Sequence, residues 1–272
     1  MAKRSRSTGS SAIARRLAEG RGQGRGRNYR PWLLVQDVPS TGNASRVWSP
    51  ITEREHHLMS NLERDYFLVA HAQKGLRDYR EQFPLLPLEE TMAIARGLGI
   101  DHPADPRTHE PIVMTSDFVL TIADEPGELN FAFAIKPAAQ LSSSRVLEKL
   151  EVERIFWQSR KVDWSIVTER ELPKILLRNM RWTFPCFQLP RFCDLAPHEV
   201  DRIRTTMEPA AVAGRQPLVE ITSHCDAALG LKSGTALLLA RYFIASQQWV
   251  VDLNQPINPR HPLRLQLLGL SP

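Results

Sequence analysis

Residues 114–136 read MTSDFVLTIADEPGELNFAFAIK. Two β-favouring runs, 114–123 and 128–136, flank the turn Asp124-Glu125-Pro126-Gly127, and this predicts a β-hairpin. A four-residue turn places Asp117 opposite Ala134. Phe118, Leu120 and Ile122 then share one face with Phe131, Phe133 and Ile135, and that apolar face belongs in the core. Asp117, Ala134 and Lys136 fall on the other face, so an acid and a lysine stand side by side on adjacent strands. A longer side chain at position 134 is expected to point into a cleft rather than into the apolar layer.

Working outward, a helix is predicted from Ser60, with Leu62, Tyr66, Val69 and Ala70 on one side. A strand over 80–86 and a helix over 88–98 follow. A Pro/Asp/His-rich loop then leads to the hairpin. A long helix over 145–161 and a short strand over 164–168 complete an α/β core with a mixed sheet. Residues 183–197 carry Pro185, Pro190 and Pro197 and read as irregular. Helices over 195–207, 219–229 and 233–248, then strands over 249–253 and 263–267, outline a winged-helix-like domain. The divisions are a basic segment over 1–30, a core domain over 31–168 and a C-terminal domain over 170–272.

The Asp117/Lys136 pair suits phosphodiester hydrolysis. A carboxylate holds a hard divalent cation, which activates water, and a lysine stabilises the developing negative charge. The same pair also reads as a cross-strand ion pair worth roughly 0.2–1 kcal/mol. Glu153 steps with Val146, Leu150 and Trp157 along one helical stripe, so it faces the sheet and needs a partner or a cation. Glu63 is a candidate acid in the first turn of its helix, and Ser60-x-x-Glu63 is also a capping box. His56 and His57 could approach DNA or a metal, or simply pack. Lys232 and Arg241 border a candidate recognition helix.

The chain has 272 residues, 42% of them apolar and 24% charged, which suits a globular protein and excludes a fibrous or disordered one. No apolar run approaches the roughly 18–20 residues that span a bilayer, and no secretory leader is evident, so a cytoplasmic location is expected. Three cysteines, Cys186, Cys193 and Cys225, with His198 and His224, lack a zinc-ligand spacing. Nine of the 35 basic residues lie in 1–30 beside the single acid Glu19, while the rest of the chain carries a small net negative charge. Arg15, Arg16, Arg21, Arg25, Arg27 and Arg30, interleaved with glycines, read as a DNA-backbone-binding arm or as a solvated tail.

The sequence resembles the TnsA family, the endonuclease subunits of heteromeric cut-and-paste transposases. The matching stretches are 13–32 (IARRLAEGRGQGRGRNYRPW), 35–40, 56–63 (HHLMSNLE), 80–87 (REQFPLLP), 115–118 (TSDF), 133–141 (FAIKPAAQL) and 147–157 (LEKLEVERIFW). The resemblance implies a restriction-endonuclease-like fold in the N-terminal domain. It implies Mg2+-dependent hydrolysis, with Mn2+ able to substitute, of the 5′ strands at transposon ends in a bacterial, nucleoid-associated protein. It further implies TnsB as the transposase that handles the 3′ strands, and TnsC as an AAA+ ATPase engaged by the C-terminal domain. Carried over by position, Glu63 and Asp117 are metal ligands, Lys136 is the catalytic lysine and Glu153 stands near the site. One position departs: the family's glutamine or glutamate ligand two residues before the lysine is Ala134 here. Ile135 can offer only a backbone carbonyl. The expected activity is therefore an endonuclease, with a non-cutting TnsA-like assembly factor as the alternative.

Overall fold

The alternation of apolar residues on either side of the turn yields the hairpin in the expected register. Phe118 pairs with Phe133, Leu120 with Phe131 and Asp124 with Gly127. The computed structural model describes residues 9–37, 43–191 and 194–267. The basic residues of 1–8, part of the 35–40 stretch and Cys193 lie outside them. The chain divides into two compact units between Leu172 and Pro173.

The first unit runs α1 (Ser10–Ala18), β1 (Ser45–Ser49), β2 (Arg54–Leu58), α2 (Asn61–His71), β3 (Leu76–Pro84), α3 (Leu88–Gly97), β4 (Thr115–Asp124), β5 (Gly127–Ile135), α4 (Ser144–Ser159) and β6 (Asp163–Val167). β3, β4 and β5 are antiparallel neighbours, and β6 adds parallel to β5 after the α4 crossover. The sheet is thus mixed, as expected of a restriction-endonuclease-like core. Helix α1 and the β1–β2 hairpin were not predicted from sequence.

Helices cover both faces of this sheet. On one face Tyr66 of α2 packs at 5.1 Å from Phe118 and 5.3 Å from Phe133, ring centre to ring centre. On the other, Val119 and Ala132 join Leu85, Ala95, Met114, Val152, Phe156 and Trp157 beneath α3 and α4. Ala134, two residues along from Ala132, is itself 0% exposed. A longer side chain there, expected to point into a cleft, would start from a fully buried position.

Strand alternation breaks at Gln82, whose φ is +48°. Tyr79 meets Phe67 of α2, whereas Phe83, which regular alternation would place on the same side, meets Trp157 of α4. The paired strand turns over at the same level. Phe118 packs on α2, while Ser116 accepts the Trp157 indole N–H at 2.7 Å. A left-handed, non-glycine backbone costs of order 1–3 kcal/mol and persists only where the surroundings fix it.

Here the fixing comes from residues 20–37, which lie along β3. The Trp32 amide donates to the Gln82 carbonyl at 3.2 Å, and the Tyr29 hydroxyl donates to the Glu81 carbonyl at 3.1 Å. Gly22 is required by contact: a Cβ there would lie 2.3 Å from Cγ of Pro84. The Gly/Arg run is thus a built loop over the strand.

The second unit contains α5 (Lys174–Thr183), α6 (Pro197–Ala213), α7 (Leu218–Leu229), α8 (Thr235–Ala245), β7 (Trp249–Val250) and β8 (Gln266–Leu267). Its core joins Ile203, Met207, Leu218, Cys225, Leu239, Phe243 and Trp249. Buried Asp226 accepts the Gly234 and Ala236 amides at 2.7 and 2.8 Å and so caps α8 from the preceding helix. The expected terminal strands shorten to two residues each. The intervening backbone is held by Asn179 instead of a ladder: its amide donates to the Leu253 and Gln255 carbonyls, and its oxygen accepts the Ile257 amide. Arg241, a candidate contact residue in the sequence, donates to the Trp182 carbonyl and lies over that ring.

Candidate active site

Glu63 enters the site from the first turn of α2. Ser60 Oγ caps the helix by accepting the Glu63 amide at 3.1 Å. The glutamate returns its side chain to the Met59 amide (2.9 Å) and the Ser60 hydroxyl (3.1 Å). The capping reading and the site reading therefore describe one buried carboxyl, 6% exposed. Burial, and after it the charge of Asp117, pushes this carboxyl up to about 7.

Asp117 lies where the two strands turn over. Its Oδ2 accepts the Ile135 amide at 2.6 Å and the Lys136 ammonium at 2.6 Å. Burial opposes the charge on Lys136, yet Asp117 outweighs it and keeps the ammonium above its ordinary pKa. The Lys136 side chain retains 29% of its surface, enough to meet a bound phosphate.

Glu153 of α4 faces inward, as its stripe predicted. It accepts Ser116 Oγ at 2.6 Å and the Trp164 indole N–H at 2.9 Å. These are the partners an inward carboxyl requires. Burial first, then Asp117, raises Glu153 to about 7. Three carboxyls thus crowd around one ammonium, and two of them resist ionisation.

Among the described residues, no group of three or more His, Cys, Asp and Glu side chains is arranged to hold a metal. The donors that are present still fit a hard cation. Glu63 and Asp117 carry carboxylate oxygens whose mutual repulsion a cation would relieve. Mg2+ is commonly bound by one or two carboxylates, with water and substrate phosphate filling the other positions. Ala134 supplies no donor, and Ile135 has its amide committed to Asp117.

Other candidates resolve differently. His56 is fully buried between Glu81 Oε2 and Thr52 Oγ1, each 2.7 Å away, so it packs and does not approach DNA or metal. Burial alone would raise Glu81, but His56 and Arg54 hold it well below the usual carboxylate range. His57 Nδ1 accepts the Val35 amide. Gln82 was missed by sequence reasoning. It is buried, donates to Glu63 Oε2 at 3.4 Å and accepts from Thr115 Oγ1 at 3.2 Å. A lone glutamine in a strand gave no signal.

The arginines of 1–30 divide into two sets. Arg16 is buried over Trp32, and Arg21 bonds Asp37, Glu19 and the Trp32 carbonyl. Arg15, Arg25 and Arg27 are exposed beside Glu19, Glu128 and Glu53. Arg30 is exposed and donates to the Glu19 carbonyl.

Residues 75–169 match the family model described as TnsA-like endonuclease N terminal, and residues 171–253 match TnsA endonuclease C terminal. The first of these matches includes Gln82, Asp117, Lys136 and Glu153. The chain is also 45% identical over 184 residues to the Escherichia coli protein named Transposon Tn7 transposition protein TnsA. That alignment covers 68% of this chain and 66% of that protein, just under two thirds of the relative's length.

Proposed function

The chain belongs to the TnsA-like endonucleases, and from that membership we propose that it hydrolyses the 5′ strands at transposon ends with a divalent cation. The observation that carries this reading is the Lys136 ammonium seated on Asp117 beside a second buried carboxyl, Glu63. Mg2+, or Mn2+ in its place, would supply Lewis-acid polarisation of the scissile phosphate and a more acidic attacking water. Glu63 and Asp117 would hold it. Lys136 neutralises charge that develops on the phosphate oxygens. Glu153 does not touch the reacting atoms; it fixes Ser116, the residue before Asp117, and so orients the acid. Exposed Arg15, Arg25, Arg27 and Arg30 contact the DNA backbone.

The partners proposed are transposon-end DNA, the TnsB transposase for the 3′ strands, and TnsC through the second unit. The relative's transposition name supports that setting. Ala134, which brings no ligand, keeps a non-cutting assembly role as the second reading. The deciding experiment incubates the chain with labelled transposon ends, TnsB, TnsC and Mg2+, reading each strand separately. Cutting of the 5′ strands by the parent, lost in Asp117→Asn, supports the nuclease. Complex assembly with both 5′ strands intact supports the second reading.

A further inference from the structure

Asp117 has a neighbour on each side in the sheet. On β5 the neighbour is Ala134, which carries no side-chain oxygen. On β3 it is Gln82, which lies between the pairs Glu81–Phe118 and Phe83–Ser116 and so in register with Asp117. The Gln82 carboxamide also reaches Glu63, at 3.4 Å. The Gln82 side chain therefore touches Glu63 from the strand position beside Asp117.

Gln82 is held there with unusual care. Its backbone is left-handed at φ +48°, yet it is not glycine. Residues 22–32 pin it through the Trp32 amide, the Tyr29 hydroxyl and the Gly22 approach to Pro84. The left-handed turn aims its side chain at Glu63 and Thr115. A strained backbone at such a place calls for a reason in the function of the side chain.

We propose that the Gln82 carboxamide supplies a further oxygen ligand to the divalent cation held by Glu63 and Asp117, a step that rests on the metal-dependent reading above. The amide can present either terminal atom in the same volume. With nitrogen toward Glu63, as observed, it donates to the carboxylate. Turned by half a rotation, it donates to Thr115 Oγ1 and sets its oxygen beside Glu63 Oε2. Two such oxygens repel in the absence of a cation and share one in its presence. Amide carbonyls are ordinary ligands of hard cations. The donor that Ala134 lacks on one flank of Asp117 is thus supplied from the other flank.

The test is titration of the full-length chain with Mn2+, without DNA, followed by the electron paramagnetic resonance of free Mn2+. The variants are Gln82→Gly, Gln82→Asn, Gln82→Glu and Asp117→Asn. Glycine and asparagine both accept the left-handed backbone; glycine removes the oxygen and asparagine withdraws it by one methylene. Thermal unfolding identifies the folded variants. Gln82→Gly and Gln82→Asn are expected to weaken Mn2+ binding by roughly tenfold or more, within the range for losing support at a metal site. Gln82→Glu is expected to match or exceed the parent. If the folded Gly or Asn variant binds as the parent does while Asp117→Asn loses binding, the metal reading stands and the role of Gln82 is overturned. If the parent binds no better than Asp117→Asn, both fall together.

Discussion

The ammonium of Lys136 and the carboxylate of Asp117 meet at 2.6 Å, and the amide of Ile135 reaches the same oxygen. Asp117 therefore serves the fold as well as the chemistry. Removing its side chain strands a buried amide and a half-buried ammonium, at about 1–3 kcal/mol. Asp117→Asn keeps an acceptor for the amide. Both Asp117→Ala and Asp117→Asn are expected to lose at least roughly a hundredfold in strand cutting, the scale of losing a key transition-state group. Only the alanine variant should melt several degrees lower. Full cutting by either variant at ordinary Mg2+ removes Asp117 from the mechanism.

Ala134 tests how tightly the second face is packed. The residue is fully buried. Ala134→Gln and Ala134→Glu must push atoms into filled space, costing about 1–3 kcal/mol, and more where the added carboxylate stays unpaired. Both variants are expected to unfold at lower temperature and to cut less than the parent. Ala134→Ser, adding one atom, should remain close to the parent in melting temperature. A gain in cutting by Ala134→Gln would mean that the position opens to the site when substrate binds.

The hairpin, its register and the acid–lysine pair were legible because strand alternation and a four-residue turn fix them locally. The inward direction of Glu153 was legible from helical period alone. What stayed hidden depends on contacts between distant segments. The full burial of Ala134 depends on chain segments that its own strand does not reveal. Arg16 and Arg21 read as free charges because Trp32 and Asp37, which engage them, give no local sign of doing so. Gln82 was invisible for the same reason: its significance lies in a backbone angle and a neighbouring strand.

Proton and cation should compete at this site. Glu63 and Glu153 both stand near 7, above an ordinary carboxyl value of 4.5, through burial and then through Asp117. A raised native pKa stabilises the protonated, folded state. That stability is fully present below about 4.5 and is lost as pH rises through about 7. The contribution of these two carboxyls falls across this window, while His56, His57, His71 and His102, held below the ordinary imidazole value by burial, contribute in the opposite sense, so the carboxyl effect is read from variants. Mn2+ affinity should rise over the same window as Glu63 gives up its proton. Glu153→Gln keeps an oxygen for Ser116 and Trp164 and should gain melting temperature relative to the parent as pH rises from about 4.5 to about 7, while leaving the Mn2+ trend in place. A difference between the two proteins that does not change with pH would contradict the Glu153 assignment.

The basic segment should separate into structural and binding arginines. Arg16 and Arg21 hold residues 16–37 together through Trp32 and Asp37, and the Trp32 amide in turn fixes Gln82. Deleting residues 1–30 is therefore expected to lower stability and disturb the site, beyond any loss of DNA affinity. Arg21→Ala should reproduce part of that destabilisation. The exposed Arg15, Arg25 and Arg27 behave otherwise, because surface ion pairs contribute little, about 0–1 kcal/mol. Replacing these three with alanine should leave melting nearly unchanged. Each one that touches a phosphate should reduce the slope of log affinity against log salt by about 0.9. DNA binding measured from low to moderate salt, with melting curves on the same proteins, distinguishes the two sets. An unchanged salt slope in the triple variant would show that these exposed arginines do not contact the DNA backbone.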